Sequence, residues 1–443
     1  MTTLNQTFTI HPVGQGFFYT GQIKLNFSNS HSKAFRFVFD CGSLNKNNCK
    51  EEVDLFKEHY WPDNEPLDLL IISHFDSDHV NFIDRLLATR KVRRIITPFL
   101  NFEERLFLSL KNVPRGGYAT NDEVQDFTLN IQIDPISTLR QYLTEDGDIT
   151  LFSDDPDTPI PPDEPTSEDF RFNFGPNSSF VFEFGNQSKS MSQNEKDEFK
   201  IFDDIEVPAT LDSSKNIVRI GNSPIVGFLF HRKTLGSDEK EFYQNVYLEF
   251  LREFKEEFKD SKKPTFKEIV DVIKSIKSAT KVSEIFKRAS RDIDGFNIKI
   301  SELKDLNTTS LNLLHYNLLE FEHPNRNRKT RTYINHFGCK IIQKLNGSRI
   351  ESKDCSFLKV YPFLWFWNQH RFFYEEYASK KLYNTLLTSD SNLLSKENLN
   401  ELYSKYRNFW DRFSIFQIPH HGSKNNIGGE LLSTLPHDII TFI

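Results

Sequence analysis

The chain has 443 residues, a formal net charge of −7 and 37% hydrophobic residues, with 43 phenylalanines against 2 methionines. That length suits one large domain with insertions or two domains, and the mild acidity speaks against a protein that coats nucleic acid nonspecifically, while leaving room for a local basic groove. No apolar run reaches transmembrane length, Met1-Thr2-Thr3-Leu4 has no signal-peptide pattern, and Cys41, Cys49, Cys339 and Cys355 are too dispersed for a disulfide framework or a zinc ribbon. Together these features predict a cytoplasmic protein with reduced thiols and no membrane partner.

In chain order, Phe8 to Asp40 reads as strand, glycine turn, strand, loop and strand. Gly14 and Gly16 bracket a tight turn, Phe17 to Phe27 is extended, and Ala34 to Phe39 is a compact apolar strand. Asp40-Cys41-Gly42 is a turn signal. Lys50 to Tyr60 has the spacing of an amphipathic helix with Val53 and Phe56 inward. Leu67 to Ile72 is short and apolar, as expected of a strand buried on both faces. It hands over directly to His74-Phe75-Asp76-Ser77-Asp78-His79, which concentrates two histidines and two carboxylates on one tight loop. Val80 to Arg90 follows as a predicted helix with Phe82, Leu86 and Leu87 on one face. Ligands at a strand end, braced by a helix, are held on rigid elements, as a metal site requires. The bland alternative is a polar turn in which Asp76 or Asp78 caps the helix. Val92 to Phe99 reads as strand and Phe102 to Leu110 as helix, and this alternation spells an α/β layer architecture.

From about Gly116 the pattern changes. Residues 153–169 are rich in proline and acids and form a predicted solvated linker. Phe170 to Gly185 and Ile217 to Phe230 read as strand. Residues 237–291 carry Tyr243, Tyr247, Phe250, Leu251 and Phe254, then Ile269 to Ile285, at helical spacing within Lys/Glu-rich sequence. They are expected to form an inserted helical module outside the sheets, and a possible surface for a protein partner. The expected division is thus 1–110 as a first half, 111–300 as insertions and 301–443 as a second half. Arg326, Arg328, Lys329 and Arg331, followed by the aromatic stretch Phe357 to Trp367, could hold a phosphate backbone and stack bases. A core segment flanked by a solvated loop is the other reading. Phe409 to Ile418 is the last long strand, and the ending at Asp438–Ile443 suggests a trimmed or minimal edge.

The loop His74-x-Asp76-x-Asp78-His79 resembles the first metal motif of the metallo-β-lactamase fold, with Asp76 in the place of that motif's second histidine. The aspartate variant is similar to the hydrolase domain attached to competence (DNA-uptake) proteins. His11-Pro12-Val13-Gly14-Gln15-Gly16 with Phe37-Val38-Phe39-Asp40-Cys41-Gly42 resembles the family's opening hairpin and Asp-x-Gly turn. Thr385-Leu386-Leu387-Thr388-Ser389-Asp390 and Ile418-Pro419-His420-His421-Gly422-Ser423-Lys424 resemble its Leu-Leu-x-Gly-Asp and Pro-His-His-Gly-Ser elements, with Ser389 where the family has glycine. The matches touch both ends of the chain and leave the middle uncovered. Asn307-Thr308-Thr309-Ser310-Leu311 resembles the family's Asn-x-x-Ser-Leu segment. It makes His315 a candidate for the middle histidine of the first metal site, against a strand histidine with a hydrogen-bonded partner.

The resemblance implies an αββα sandwich and two divalent metal ions, Zn²⁺ or Mn²⁺. His74 and Asp76 would serve one ion, Asp78, His79 and His420 or His421 the other, and Asp390 would bridge them. Asp40 would orient metal-loop groups without ligating. Asp78, His79 and Lys424 are the candidate catalytic residues, with Lys424 balancing a phosphate. Exchanging a histidine for Asp76 hardens the site and favours Mn²⁺. Two cations roughly 3.5–4 Å apart stabilise an in-line displacement at a phosphoryl group. The resemblance to the competence domain implies first a phosphodiesterase or nuclease acting on DNA, in the manner of soluble relatives that serve as effectors in bacterial antiphage operons. A small-molecule hydrolase of a lactone, thioester or cyclic nucleotide, and a non-catalytic partner-binding regulator, are the competing expectations, since fold alone decides none of them.

Overall fold

The computed structural model describes residues 3–27, 31–62, 65–113, 123–153, 178–183, 188–190, 209–211, 215–220, 223–233, 235–258, 264–276, 278–290, 310–317, 333–334, 384–410, 413–422, 431, 434–435 and 440–442. The chain opens with an antiparallel meander of β1 (Thr3–Ile10), β2 (Gly16–Asn26) and β3 (Ser32–Ser43). Asp40 to Gly42, expected as a turn, instead continue β3. The register shifts between Phe18 and Tyr19, which pair with Cys41 and Phe39, so Asp40 is the extra residue of a β-bulge and sits at φ +56. A bulge breaks the two-residue alternation and re-aims one side chain.

After α1 (Lys46–Leu55), whose Val53 is buried, a π-helical turn over Phe56–Tyr60 buries Phe56. β4 (Leu69–Ile71) is wholly buried and parallel to β3. The single helix expected over Val80 to Arg90 is two short ones, α2 (Ser77–Val80) and α3 (Ile83–Leu87). The break falls at Asn81, whose side chain accepts from the Ser43 amide and donates to the Ser43 carbonyl, both at 2.9 Å. β5 (Val92–Pro98), α4 (Phe102–Asn112), α5 (Glu123–Ile133), α6 (Pro135–Arg140) and β6 (Leu143–Phe152) follow, with β3, β4, β5 and β6 side by side and parallel. The first sheet thus runs past residue 110.

The remaining elements are β7 (Phe180–Glu183), β8 (Ser188–Ser190), β9 (Ala209–Leu211), β10 (Lys215–Ile220), β11 (Ser223–His231), α7 (Ser237–Glu253), α8 (Phe266–Ser275), α9 (Ala279–Ala289), β12 (Asn312–Asn317), β13 (Tyr333–Ile334), β14 (Asn384–Leu387), α10 (Lys396–Tyr406), β15 (Phe413–Gln417) and β16 (Ile440–Phe442). Among the described residues they complete two mixed sheets, in the orders β13-β1-β2-β3-β4-β5-β6-β9-β8 and β16-β15-β14-β12-β11-β10-β7. Residues 111–300, expected as insertions, supply strands to both. Within that span the predicted helical segment is confirmed as α7 to α9. Most of the predicted acidic linker, the basic run at 326–331 and the aromatic stretch at 357–367 lie outside the described residues.

Strand alternation sorts the cores. Phe37, Phe39, Val226, Phe228 and Phe230 point between the sheets into one shared cluster. Val38 faces the helices that cover the first sheet, and Leu229 faces α10 on the second. The excursion α7 to α9 leaves the second sheet after β11 and packs on the first sheet's helices. The Phe107 ring on α4 lies 5.8 Å from Phe242, 5.2 Å from Tyr243 and 4.8 Å from Phe286. Its apolar face is therefore buried by this chain's own α4. No helix among the described residues is long and apolar enough to cross a membrane.

Candidate metal centre

The C-terminal ends of β4, β14 and β15 meet at one edge, beside the Asp40 bulge. The Leu311 amide donates to the Ser73 carbonyl at 2.8 Å, and Ser73 Oγ stands 2.6 Å from Ser389 Oγ, so the two sheets are tied together here. Open α/β sheets place their sites at such carboxyl ends. Gly42 permits the close fit. A Cβ there would lie 2.6 Å from the carbonyl carbons of Asp78 and His79, so only glycine lets α2 rest against β3.

Asp390 lies at the centre of three imidazoles. His79 Nε2 is 3.3 Å from its Oδ1, while His74 Nε2 at 3.8 Å and His420 Nδ1 at 3.0 Å both face Oδ2. His420 thus faces the same Asp390 oxygen as His74. The Asp40 carboxylate accepts from the Ser73 amide at 2.7 Å and from the Ser73 hydroxyl at 2.5 Å, and lies 2.9 Å from His79 Nδ1. With its proton given to Asp40, Ser73 Oγ accepts from His74 Nδ1–H at 2.8 Å. Both imidazoles are therefore held with Nδ1 outward and Nε2 toward Asp390. Ser389, at φ +47, occupies a backbone region that favours glycine, and its amide donates to Gln417 Oε1 at 2.8 Å. Its hydroxyl link to Ser73 offsets strain of about 1–2 kcal/mol.

Burial by itself lowers the affinity of His79 for a proton, but Asp390 and Asp40 on its two nitrogens outweigh this and hold it well above the ordinary histidine range. His74 is held below its ordinary value, by burial first and then by His79, whose ring centroid lies 4.1 Å away. For Asp390 burial acts upward, yet His79 and His420 keep it well below the usual carboxylate range. Asp40, His74 and His79 form a buried group whose ligand-type atoms all lie within 4.8 Å and could hold a metal ion. In that group the Asp40 oxygens and both Nδ1 atoms already have partners. His74 Nε2 and Asp76 Oδ1 are buried and make no hydrogen bond.

Of the expected site residues, His74, His79, Asp390 and His420 converge and Asp40 backs them. Asp76 takes the N-cap position of α2, where the bland reading puts it, but makes no side-chain capping bond there. Asp78 stands half-buried in the first turn of α2. Lys424 and the His421 side chain lie outside the described residues. His315 takes the second of its two readings: it sits between the sheets, with Tyr19 Oη 2.6 Å from its Nε2 and the Phe8, Phe37 and Phe228 rings around it. Sequence reasoning missed Ser73, Lys111, Gln132 and Gln417. Gln132 of α5 donates to the Phe75 carbonyl at 2.7 Å, and nothing in its local sequence signals that contact.

Comparisons with protein-family models, curated proteins and solved structures found no match to this chain. Fold and site together define a mixed α/β protein with a buried histidine–aspartate group that could hold a metal ion.

Proposed function

We propose that the chain is a metal-dependent hydrolase of the metallo-β-lactamase fold, an αββα sandwich that cleaves phosphodiester bonds of nucleic acid, DNA first, in a cytoplasm. One observation carries this reading. Loops from residues 74 to 420 bring three imidazoles around one carboxylate at 3.0 to 3.8 Å. Two donors about 2.0–2.1 Å from one ion stand about 2.9–3.4 Å apart in octahedral or tetrahedral geometry, so these spacings fit a metal ion after small adjustments. The unbonded, buried His74 Nε2 and Asp76 Oδ1 fit it too.

His74, Asp76, His79, Asp390 and His420 would hold the ions, and a mixed imidazole–carboxylate set suits Zn²⁺ or Mn²⁺. Bound there, divalent cations supply Lewis acidity toward phosphoryl oxygens and acidify water. The chain's own residues do the rest. Asp40 fixes the tautomer and orientation of His79, and Ser73 does so for His74. Ser389 ties the loop of Asp390 to the loop of His74, so donors from opposite ends of the chain keep one geometry.

The test is cleavage by the purified chain of DNA, RNA and a generic phosphodiester with Mn²⁺, Zn²⁺ or Mg²⁺, beside a lactone and a thioester. We expect metal-dependent phosphodiester cleavage, lowered at least about 100-fold in His79→Ala and Asp390→Ala with unchanged circular dichroism, since even outer partners of metal ligands are worth 10–100-fold. Variants that cleave as fast as the parent would end the metal mechanism. Cleavage of the lactone or thioester alone would point to the small-molecule hydrolase, and a parent that binds no metal to the non-catalytic regulator.

A further inference from the structure

The Asp76 carboxylate turns away from the helix it could cap and toward Lys111 near the end of α4. Lys111 Nζ lies 3.5 Å from Asp76 Oδ2, and both residues are buried. A buried lysine is unusual, because a compact ammonium is strongly hydrated and is seldom taken from water without a partner. The other carboxylate oxygen, Oδ1, is buried with no hydrogen bond. An ionised oxygen in that state is costly unless a cation faces it. His74 Nε2, on the same loop, is also buried and unbonded. An ammonium that merely replaced a metal ion would leave no reason for Oδ1 to stay unsatisfied.

We infer that Lys111 is a positioning residue for the metal centre: by holding Oδ2 it fixes the Asp76 carboxylate with Oδ1 turned to a divalent cation that it shares with His74. This rests on the reading of the site as a metal centre. It also gives α4 a role at the site, since its last turn sets a ligand and Gln132 of the neighbouring α5 holds the same loop at Phe75. Removing a partner that orients a metal ligand lowers metal affinity by about 10–100-fold.

The experiment is equilibrium dialysis of the full chain against Mn²⁺ or Zn²⁺ alone, with bound ions counted by mass spectrometry. The parent should bind two ions. Lys111→Met should keep one and bind the other about 10–100-fold more weakly, and Lys111→Arg should recover most of that loss. Because an unpaired buried charge can unfold a chain, folding is checked by circular dichroism. Lys111→Gln, with a polar head in place of the charge, is read the same way where the methionine variant does not fold. Variants that bind both ions as tightly as the parent overturn the inference. So does tighter binding of the second ion, which would make the ammonium a competitor of the metal. A parent that binds no ion removes the metal-centre reading, and this inference with it, before any variant is compared.

Discussion

At the scale of single residues, burial acts on the histidines of this chain in two opposite ways. His79 is buried between two carboxylates that raise its affinity for a proton, whereas His315 and His231 are buried without such a partner strong enough to compensate, and both are pushed down to about 3. Lys405 adds to the effect at His231. Between pH ~6.5 and about 3 the unfolded chain therefore binds protons that folded His315 and His231 refuse, and stability falls as pH falls, by about 1.4 kcal/mol per pH unit for each fully titrating group. Urea unfolding of the parent from pH 6.5 to 4 should show this acid limb, and His315→Asn should remove about one proton of slope while leaving metal content unchanged. A parent flat over that range, or a variant that loses its metal, would contradict the inter-sheet role of His315. The sequence offered both readings of His315, a ligand or a strand histidine with a partner. It could not choose, because the partner, Tyr19, lies 296 residues away.

At the scale of elements, the site depends on how closely α2 approaches β3. The strand bulges at Asp40 near its end, and Gly42 beyond the bulge faces the backbone of α2 with no room for a side chain. Gly42→Ala should push the helix that carries His79 away from the Asp40 carboxylate. We expect a loss of about 1–3 kcal/mol in stability, as for other overpacked positions, together with weaker metal binding. Urea denaturation and metal dialysis on the same sample measure both, and a variant as stable and as metal-loaded as the parent would show that α2 is not wedged. A glycine after Asp-Cys is readable in sequence as a turn. That it serves close packing within a strand is not, because the opposing carbonyl carbons belong to a segment more than thirty residues on.

At the scale of the molecule, the helices α7 to α9 bridge the two halves, leaving the second sheet and covering the helices of the first. Phe107 is where they meet, with three aromatic neighbours from that excursion. Phe107→Ala should cost about 3–5 kcal/mol, the usual range for an aromatic removed from a core. Because α4 also carries Lys111, the same variant should weaken metal binding. Proteolysis that released the helices while the rest stayed as stable as the parent would show instead that they form an independent module.

The sequence by itself determined the local things. These were the α/β alternation of the first hundred residues, the helical spacing of α7 to α9, the extended character of Ile217 to Phe230, and the donor-rich loops at His74, Asp390 and His420. Each follows from the period of apolar residues or from a run of ligand-type side chains, which neighbours in sequence suffice to define. Only the tertiary structure decided which sheet each middle strand joins, that Asp40 is a bulge, that Ser73 and Gln417 contact the Ser389 loop, and that Lys111 lies beside Asp76. Those contacts span tens to hundreds of residues, and a lone lysine, serine or glutamine carries the same local signal on a solvated surface as beside a buried carboxylate.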